Sequence, residues 1–187
     1  MPSITLDNGC VLSERSLEHF HRAGAMFDST GTYRYQLWRE WVVTPMVESD
    51  HLVFLMLNPS TADHEVLDPT VRKCVEFAKR WGYGGLQVLN IFAFKATDPD
   101  DMVDSAEAGI DIVGPFNDDS IERVCLGRRV VMACGAHRFA RDRLRQVMPI
   151  VERVARDVVC LKTTKDGLPG HPLYIPYAVE PKPWRLP

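Results

Sequence analysis

The sequence predicts an α/β domain, a three-layer α/β/α sandwich with a mainly parallel central sheet of about four or five strands. Three observations lead there. Leu52-Val53-Phe54-Leu55-Met56-Leu57 is an unbroken apolar run, as in a strand buried on both faces. Similar runs recur at Leu86–Phe92, Arg129–Cys134 and Val158–Leu161, with helix-like segments between them, and that alternation favours a parallel sheet covered by helices. Right-handed crossovers then carry every strand-to-helix loop to one edge of the sheet.

Length and composition set the frame. The 187 residues read as a single α/β domain over 1–187, with a weakly patterned N-terminal segment at 1–32 and a proline-rich tail at 176–187. A net charge of -3 lacks the basic excess of a nonspecific DNA-coating protein, so any nucleic-acid contact must come from a local patch. No apolar run has the length to cross a bilayer and no signal-peptide pattern opens the chain, so the expectation is a cytoplasmic protein without a membrane partner. Cys10, Cys74, Cys125, Cys134 and Cys160 are scattered and form no Cys-x-x-Cys pair. They signal neither a zinc site nor an iron–sulfur cluster, and no cofactor is implied.

Taken in order, Ser16 to Phe27 fits a short helix, and Gly24 with Asp28-Ser29-Thr30-Gly31 marks a loop. Tyr33 to Trp41, aromatic and partly alternating, reads as an edge strand antiparallel to 52–57. The apolar run at 52–57 stops at Asn58, where Pro59 bars further ladder pairing. Asp68 and Pro69 suit the N-cap and first position of a helix. Val71, Cys74, Val75 and Ala78 form its apolar face, and Gly82 its stop. A second buried strand covers 86–92, with Asn90 lodged in it. Helices follow over 100–112 and after the turn at 114–119, and a third strand covers 129–134. An arginine-rich helix spans 137–148, with Arg138, Arg141, Arg143 and Arg145. A fourth strand at 158–161 leads to the Gly/Pro-rich loop holding His171, and the tail reads as irregular.

This topology gathers Asn58, Asn90, Gly135 and the His171 loop at the C-terminal edge of the sheet, where open α/β folds place ligands. Each residue also has an ordinary explanation. Asn58-Pro59 can simply start a turn, Asn90 can tie neighbouring loops together, and His171 can cap its own loop. Asp68 fits a helix cap better than a catalyst. Asn117 and Asp118 can bind substrate or a cation, with helix entry the stronger alternative. Arg72, Lys73, Arg138 and Arg141 can track phosphates, and a solvated helix face explains them equally well.

The chain resembles two families. Leu57-Asn58-Pro59-Ser60-Thr61-Ala62-Asp63, Asp68-Pro69-Thr70-Val71-Arg72-Lys73-Cys74, Gly114-Pro115-Phe116-Asn117-Asp118 and Gly170-His171-Pro172-Leu173-Tyr174 resemble a bacterial and phage family known only as a domain of unknown function. More distantly, the order of motifs is similar to the uracil-DNA glycosylase superfamily. Met56-Leu57-Asn58-Pro59-Ser60 stands in the place of its polar-residue-then-proline motif and Leu89-Asn90-Ile91 in that of a base-reading asparagine. Ala133-Cys134-Gly135 follows in the place of a strand ending in glycine, and His171-Pro172 in that of the His-Pro loop. Two departures stand out: Met56 replaces a glycine, and Leu173-Tyr174 replaces a Ser-Pro continuation.

The resemblance implies a uracil-DNA-glycosylase-like fold and a glycosylase-like hydrolase that cleaves an N-glycosidic bond of a nucleobase or modified base, in DNA or a nucleotide, without a metal. The alternative is a non-catalytic module on the same fold that binds nucleic acid or a nucleotide. In the catalytic reading Asn58 orients water and His171 donates to the leaving base. Asn90 reads the base edge with its amide donor and carbonyl acceptor. Pro59, Ser60, Asp63, Phe92, Asn117 and Asp118 complete the candidate ligand contacts, with Tyr83 and Phe94 as further stacking candidates.

Overall fold

The computed structural model describes residues 3–17, 20–42, 51–60 and 68–187. Four strands come first: β1 (Ser3–Thr5), β2 (Val11–Leu17), β3 (Phe20–Phe27) and β4 (Arg34–Glu40). They pair as an antiparallel meander, with Leu12 opposite Met26 and Gly24 opposite Trp38. The short helix expected within 16–27 is therefore corrected to strand. Its centre, Ala23-Gly24-Ala25, has low strand propensity, and a register shift between Arg15 and Leu17 breaks the alternation that would have revealed it. The small residues make room for a neighbour: a Cβ on Gly24 would overlap the Trp38 indole and lie 2.5 Å from the Ser13 carbonyl oxygen.

The rest of the chain alternates as expected. β5 (His51–Met56) is buried along its whole length. α1 (Pro69–Arg80) starts from Asp68, whose carboxylate accepts from the Val71 N–H at 2.7 Å; such a cap contributes about 1 kcal/mol. Then follow β6 (Gly85–Asn90), α2 (Pro99–Glu107), α3 (Asn117–Cys125), β7 (Arg129–Met132), α4 (Ala140–Val154), β8 (Asp157–Cys160) and β9 (Lys182–Pro183). α2 is shorter than the expected 100–112. α4 starts later than expected and continues past Met148, accommodating Pro149.

Among the described residues the strands form one sheet in the order β1-β2-β3-β4-β6-β5-β7-β8-β9. Only β6-β5-β7-β8 are mutually parallel, and every other pairing is antiparallel. The expected mainly parallel sheet is thus corrected to a mixed, mostly antiparallel one, enlarged by the N-terminal meander. β4 does run antiparallel, but it pairs with β6, Leu37 opposite Val88, rather than with β5. β5 has no free edge, because β6 and β7 flank it on both sides. The tail is anchored rather than irregular: β9 pairs with β8, and buried Trp184 donates its indole N–H to the Gly167 carbonyl at 3.0 Å.

Side-chain alternation along β5 splits the core. Leu52, Phe54 and Met56 pack with α1 residues Val71, Cys74, Val75 and Phe77. Val53 and Leu55 pack with Ile121 and Val124 of α3 and with Leu144 and Val147 of α4. Each fully buried side chain of this size contributes roughly 1.5–3 kcal/mol. Among the described residues no helix is long and apolar enough to cross a membrane.

Gly24→Ala is expected to destabilise the protein by about 2–3 kcal/mol through overpacking against Trp38. A urea unfolding midpoint that does not fall would show that the meander can yield there.

Candidate functional site

The chain leaves β5 at Met56 and stays paired for two further steps, because the Ile91 and Phe92 amides donate to the Met56 and Leu57 carbonyls at 2.9 and 3.0 Å. Asn58 then turns away from the sheet. Its Nδ2 donates to the Ala96 carbonyl at 2.9 Å and to the Pro59 carbonyl at 3.2 Å. Two carbonyl acceptors define which end of the amide is NH2. Oδ1 is left without a partner among the described residues.

The C-terminal end of β7 delivers Ala133, Cys134 and Gly135 to the same edge. Gly135, at φ 75°, donates its N–H to the Pro169 carbonyl at 2.8 Å. Gly170 donates to the Lys162 carbonyl at 2.7 Å. These two bonds hold the His171 loop against the sheet. The Leu173 N–H lies 3.5 Å from His171 Nδ1, so in the neutral ring the proton belongs on Nε2.

Asn58 and His171 line one pocket of about 230 Å³, together with Arg34, Ser60, Asp68, Thr70 and Cys134. Ligand pockets typically hold roughly 300–1,000 Å³, so this one suits a fragment the size of a base. Its most unusual member is Arg34. As the first residue of an antiparallel strand, Arg34 lies where the parallel strands end, and its amide donates to the Ala93 carbonyl at 2.9 Å. It is only 4 % exposed, and its Nε has no hydrogen-bond partner among the described residues. The buried Oγ of Ser60 is likewise unpartnered.

The electrostatics follow from burial. Desolvation lowers the Arg34 pKa to about 10, against the raising influence of Asp68 and with a smaller lowering one from Arg39; Arg34 stays cationic at neutral pH. No direct ion pair joins Arg34 to Asp68, although both line the pocket. The Oδ1 of Asp68 is occupied as the α1 cap, leaving Oδ2 without a partner among the described residues. His171 stands exposed at the rim, yet desolvation by the surrounding chain lowers its pKa, with Asp68 pulling the other way. Burial pushes the Cys134 thiol up to about 12, so it stays protonated and is no nucleophile.

Other expected site residues lie elsewhere. Asn90 is buried at the end of β6 and does not line the pocket; its Oδ1 has no partner among the described residues, and its carbonyl accepts from Asn117 Nδ2 at 3.1 Å. Asn117 also donates to the Ile91 carbonyl at 3.0 Å, and Asp118 forms an ion pair with buried Arg143. These two residues join α3 to β6 and α4. Phe92 is a core side chain and Pro59 is buried beside the pocket without lining it. Asp63 lies outside the described residues.

Nor do the basic candidates form a single stripe. Arg72 is exposed on α1, and Lys73 sits with its Nζ 3.5 Å from the centroid of the Tyr177 ring. Arg138 pairs with Glu107 at 3.2 Å, and Arg141 donates to the Asp166 and Pro187 carbonyls at 2.8 and 3.3 Å. The residue that sequence reasoning missed is Arg34, a lone arginine between Tyr33 and Tyr35 whose position depends on an antiparallel pairing with β6. Among the described residues no group of three or more histidine, cysteine or carboxylate side chains is placed to hold a metal ion.

One family model, described as protein of unknown function (DUF1643), matches residues 34–173. Neither the curated proteins nor the solved structures contain a match to the chain.

A buried cation without a partner costs several kcal/mol. Arg34→Met is therefore expected to raise the stability of the ligand-free protein by about 1–2 kcal/mol, read as a higher urea midpoint at unchanged slope. A lower midpoint would mean that Arg34 serves the fold rather than a ligand.

Proposed function

We propose that this chain, which belongs to the DUF1643 family of proteins of unknown function, is a glycosylase-like hydrolase cleaving the N-glycosidic bond of a nucleobase or modified base. One observation carries the reading: Asn58 and His171, distant in sequence, line one base-sized pocket with a charged Arg34 and Asp68. The distant resemblance of the motif order to that of the uracil-DNA glycosylase superfamily supports it, since the Asn-Pro, glycine and His-Pro segments fall at one sheet edge. The parallel strands, with α1 on one face and α3 and α4 on the other, are compatible with the three-layer core of that resemblance.

The chemistry has definite requirements. As the bond between C1′ and the ring nitrogen breaks, its electron pair leaves with the base and the sugar becomes cationic. A water oxygen then bonds to C1′, and the proton it releases ends on the departed base, giving free base and a sugar hemiacetal. Asn58 is suited to orient that water: its NH2 is tied to Ala96 and Pro59, so Oδ1 presents a fixed acceptor. The Asp68 carboxylate opposes the positive charge that develops on the sugar. His171, neutral and protonated on Nε2, donates a hydrogen bond to the base without needing to surrender a proton.

Asn58→Ala is expected to lower base release about 100-fold or more with the fold intact. The assay is incubation with DNA and nucleoside panels carrying unusual bases, with released base detected by mass spectrometry and folding followed by circular dichroism. Salt-sensitive binding of nucleic acid without release from any substrate would replace the enzyme with a binding module.

The lowered His171 pKa also fixes a sign. A histidine depressed in the folded state binds fewer protons there than in the unfolded chain, so its contribution is present above the unfolded value near 6.5. That contribution is lost as pH falls through the folded pKa. Activity should therefore decline on an acid limb centred below pH 6.5, and His171→Gln should abolish that limb. A limb centred at or above 6.5 would exclude neutral His171 as the donor.

A further inference from the structure

We propose that Arg34 is the specificity-determining residue of this pocket and that it reads the oxo group of a lactam-type nucleobase, one carrying a ring carbonyl beside a ring N–H. The inference rests on the base-pocket reading above and names the class of base.

The pocket lining holds donors and acceptors together. On the donor side are the Arg34 guanidinium, with a buried Nε that nothing in the described structure satisfies, and the Ser60 hydroxyl, also buried and unpartnered. On the acceptor side are Asn58 Oδ1, fixed because its Nδ2 is bonded to two carbonyls, and the oxygen of Asp68 not used by the α1 cap. A lactam offers an acceptor oxygen and a donor N–H on adjacent atoms, which matches that pair. Adenine offers an amino group where the oxygen would be, and would set a donor against the guanidinium.

Charge argues against the obvious rival, a phosphate. Among the described lining residues the Arg34 guanidinium shares the space with the Asp68 carboxylate, so their formal charges offset each other. A dianion there would meet a carboxylate as well as a guanidinium. Asn90, expected to read the base, lies outside the described lining, and of the two buried donors there, Arg34 and Ser60, Arg34 carries the charge. The same placement helps the reaction: when the glycosidic electron pair leaves with the base it delocalises onto the oxo oxygen, where a desolvated guanidinium is worth most.

The test uses free bases, so that it does not depend on bond cleavage. Hypoxanthine and adenine share one ring system and differ in oxo against amino at one carbon and in N–H against a bare nitrogen beside it. The 187-residue protein is expected to bind hypoxanthine about tenfold or more tighter than adenine by titration calorimetry, and Arg34→Met should remove most of the difference. On the unmodified protein, the Arg34 Nε–H resonance, assigned with Arg34→Lys, should shift on adding hypoxanthine and stay in place with adenine. That measurement stands even if Arg34→Met does not fold. Equal affinity for the two bases, discrimination that survives Arg34→Met, or displacement of hypoxanthine by an equal concentration of inorganic phosphate would each overturn the assignment. Discrimination without release of base from any nucleoside would sink the hydrolase reading alone, leaving Arg34 as the reader. Release of adenine from its nucleosides would sink the lactam assignment and leave the hydrolase.

Discussion

The molecule is organised by the requirement that β5 be paired on both edges by parallel strands while both its faces are covered. Parallel neighbours cannot be joined by a hairpin, so each link from β5 to β6 and from β7 to β8 is a crossover carrying a helix. Those crossovers leave the C-terminal ends of β5 and β7 side by side, and the backbone there still needs partners. Some are supplied by the ladder itself, as when the Ala133 amide donates to the Leu55 carbonyl at 2.8 Å. The rest come from side chains and loops: Asn117 and Arg143 on the Ile91 carbonyl, Asn58 on that of Ala96, Gly135 on that of Pro169. The pocket is the space left between these ties.

A purely parallel sheet would have delivered only strand C-termini to this edge. The antiparallel β4 adds something different, because its first residue arrives where its neighbour β6 ends. Arg34 is thereby anchored on a strand rather than carried by a loop. That is a better mount for a group meant to hold position against a ligand. The meander behind β4 gives it a partner on its other edge, with Ala25 opposite Leu37 and Ala23 opposite Arg39. The N-terminal strands thus bear on the site although none but β4 contributes a residue to its lining.

What could be read from the sequence was what local patterning encodes. The unbroken apolar runs marked β5 and β6, the Asp68-Pro69 start marked α1, and the breaks after Leu57 and Cys134 marked the edge where Asn58 and the His171 loop meet. What escaped depended on long-range partners. Ala23-Gly24-Ala25 looks like a poor strand until Trp38 is laid across it. Arg34 looks like a solvent-facing residue of an edge strand until β6 is paired beside it, and Lys182-Pro183 looks like tail until β8 receives it. Asn90 is ambiguous for the opposite reason. A polar residue in a buried run signals that something must satisfy it, and nothing local distinguishes a ligand from a neighbouring helix. Here the adjoining carbonyls go to Asn117 and Arg143.

Two buried arginines near the same edge differ in how far their guanidinium groups are engaged. Arg143 is 5 % exposed and fully engaged: it donates to the Ile91 carbonyl at 2.8 Å and to Gln146 at 3.0 Å, and pairs with Asp118. Its charge is neutralised and its planar fork is used, which is how a buried guanidinium becomes tolerable. Arg34, equally buried, has a carboxylate within its field but none in contact, and its Nε is unsatisfied. Leaving such a donor unpaired costs free energy that the fold alone does not require, because an apolar side chain would fill the same space. A ligand acceptor in the pocket would recover that cost. Under the proposed function, the asymmetry between the two arginines puts recognition on the α1 side of the sheet edge, while the structural polar network lies with α3 and α4.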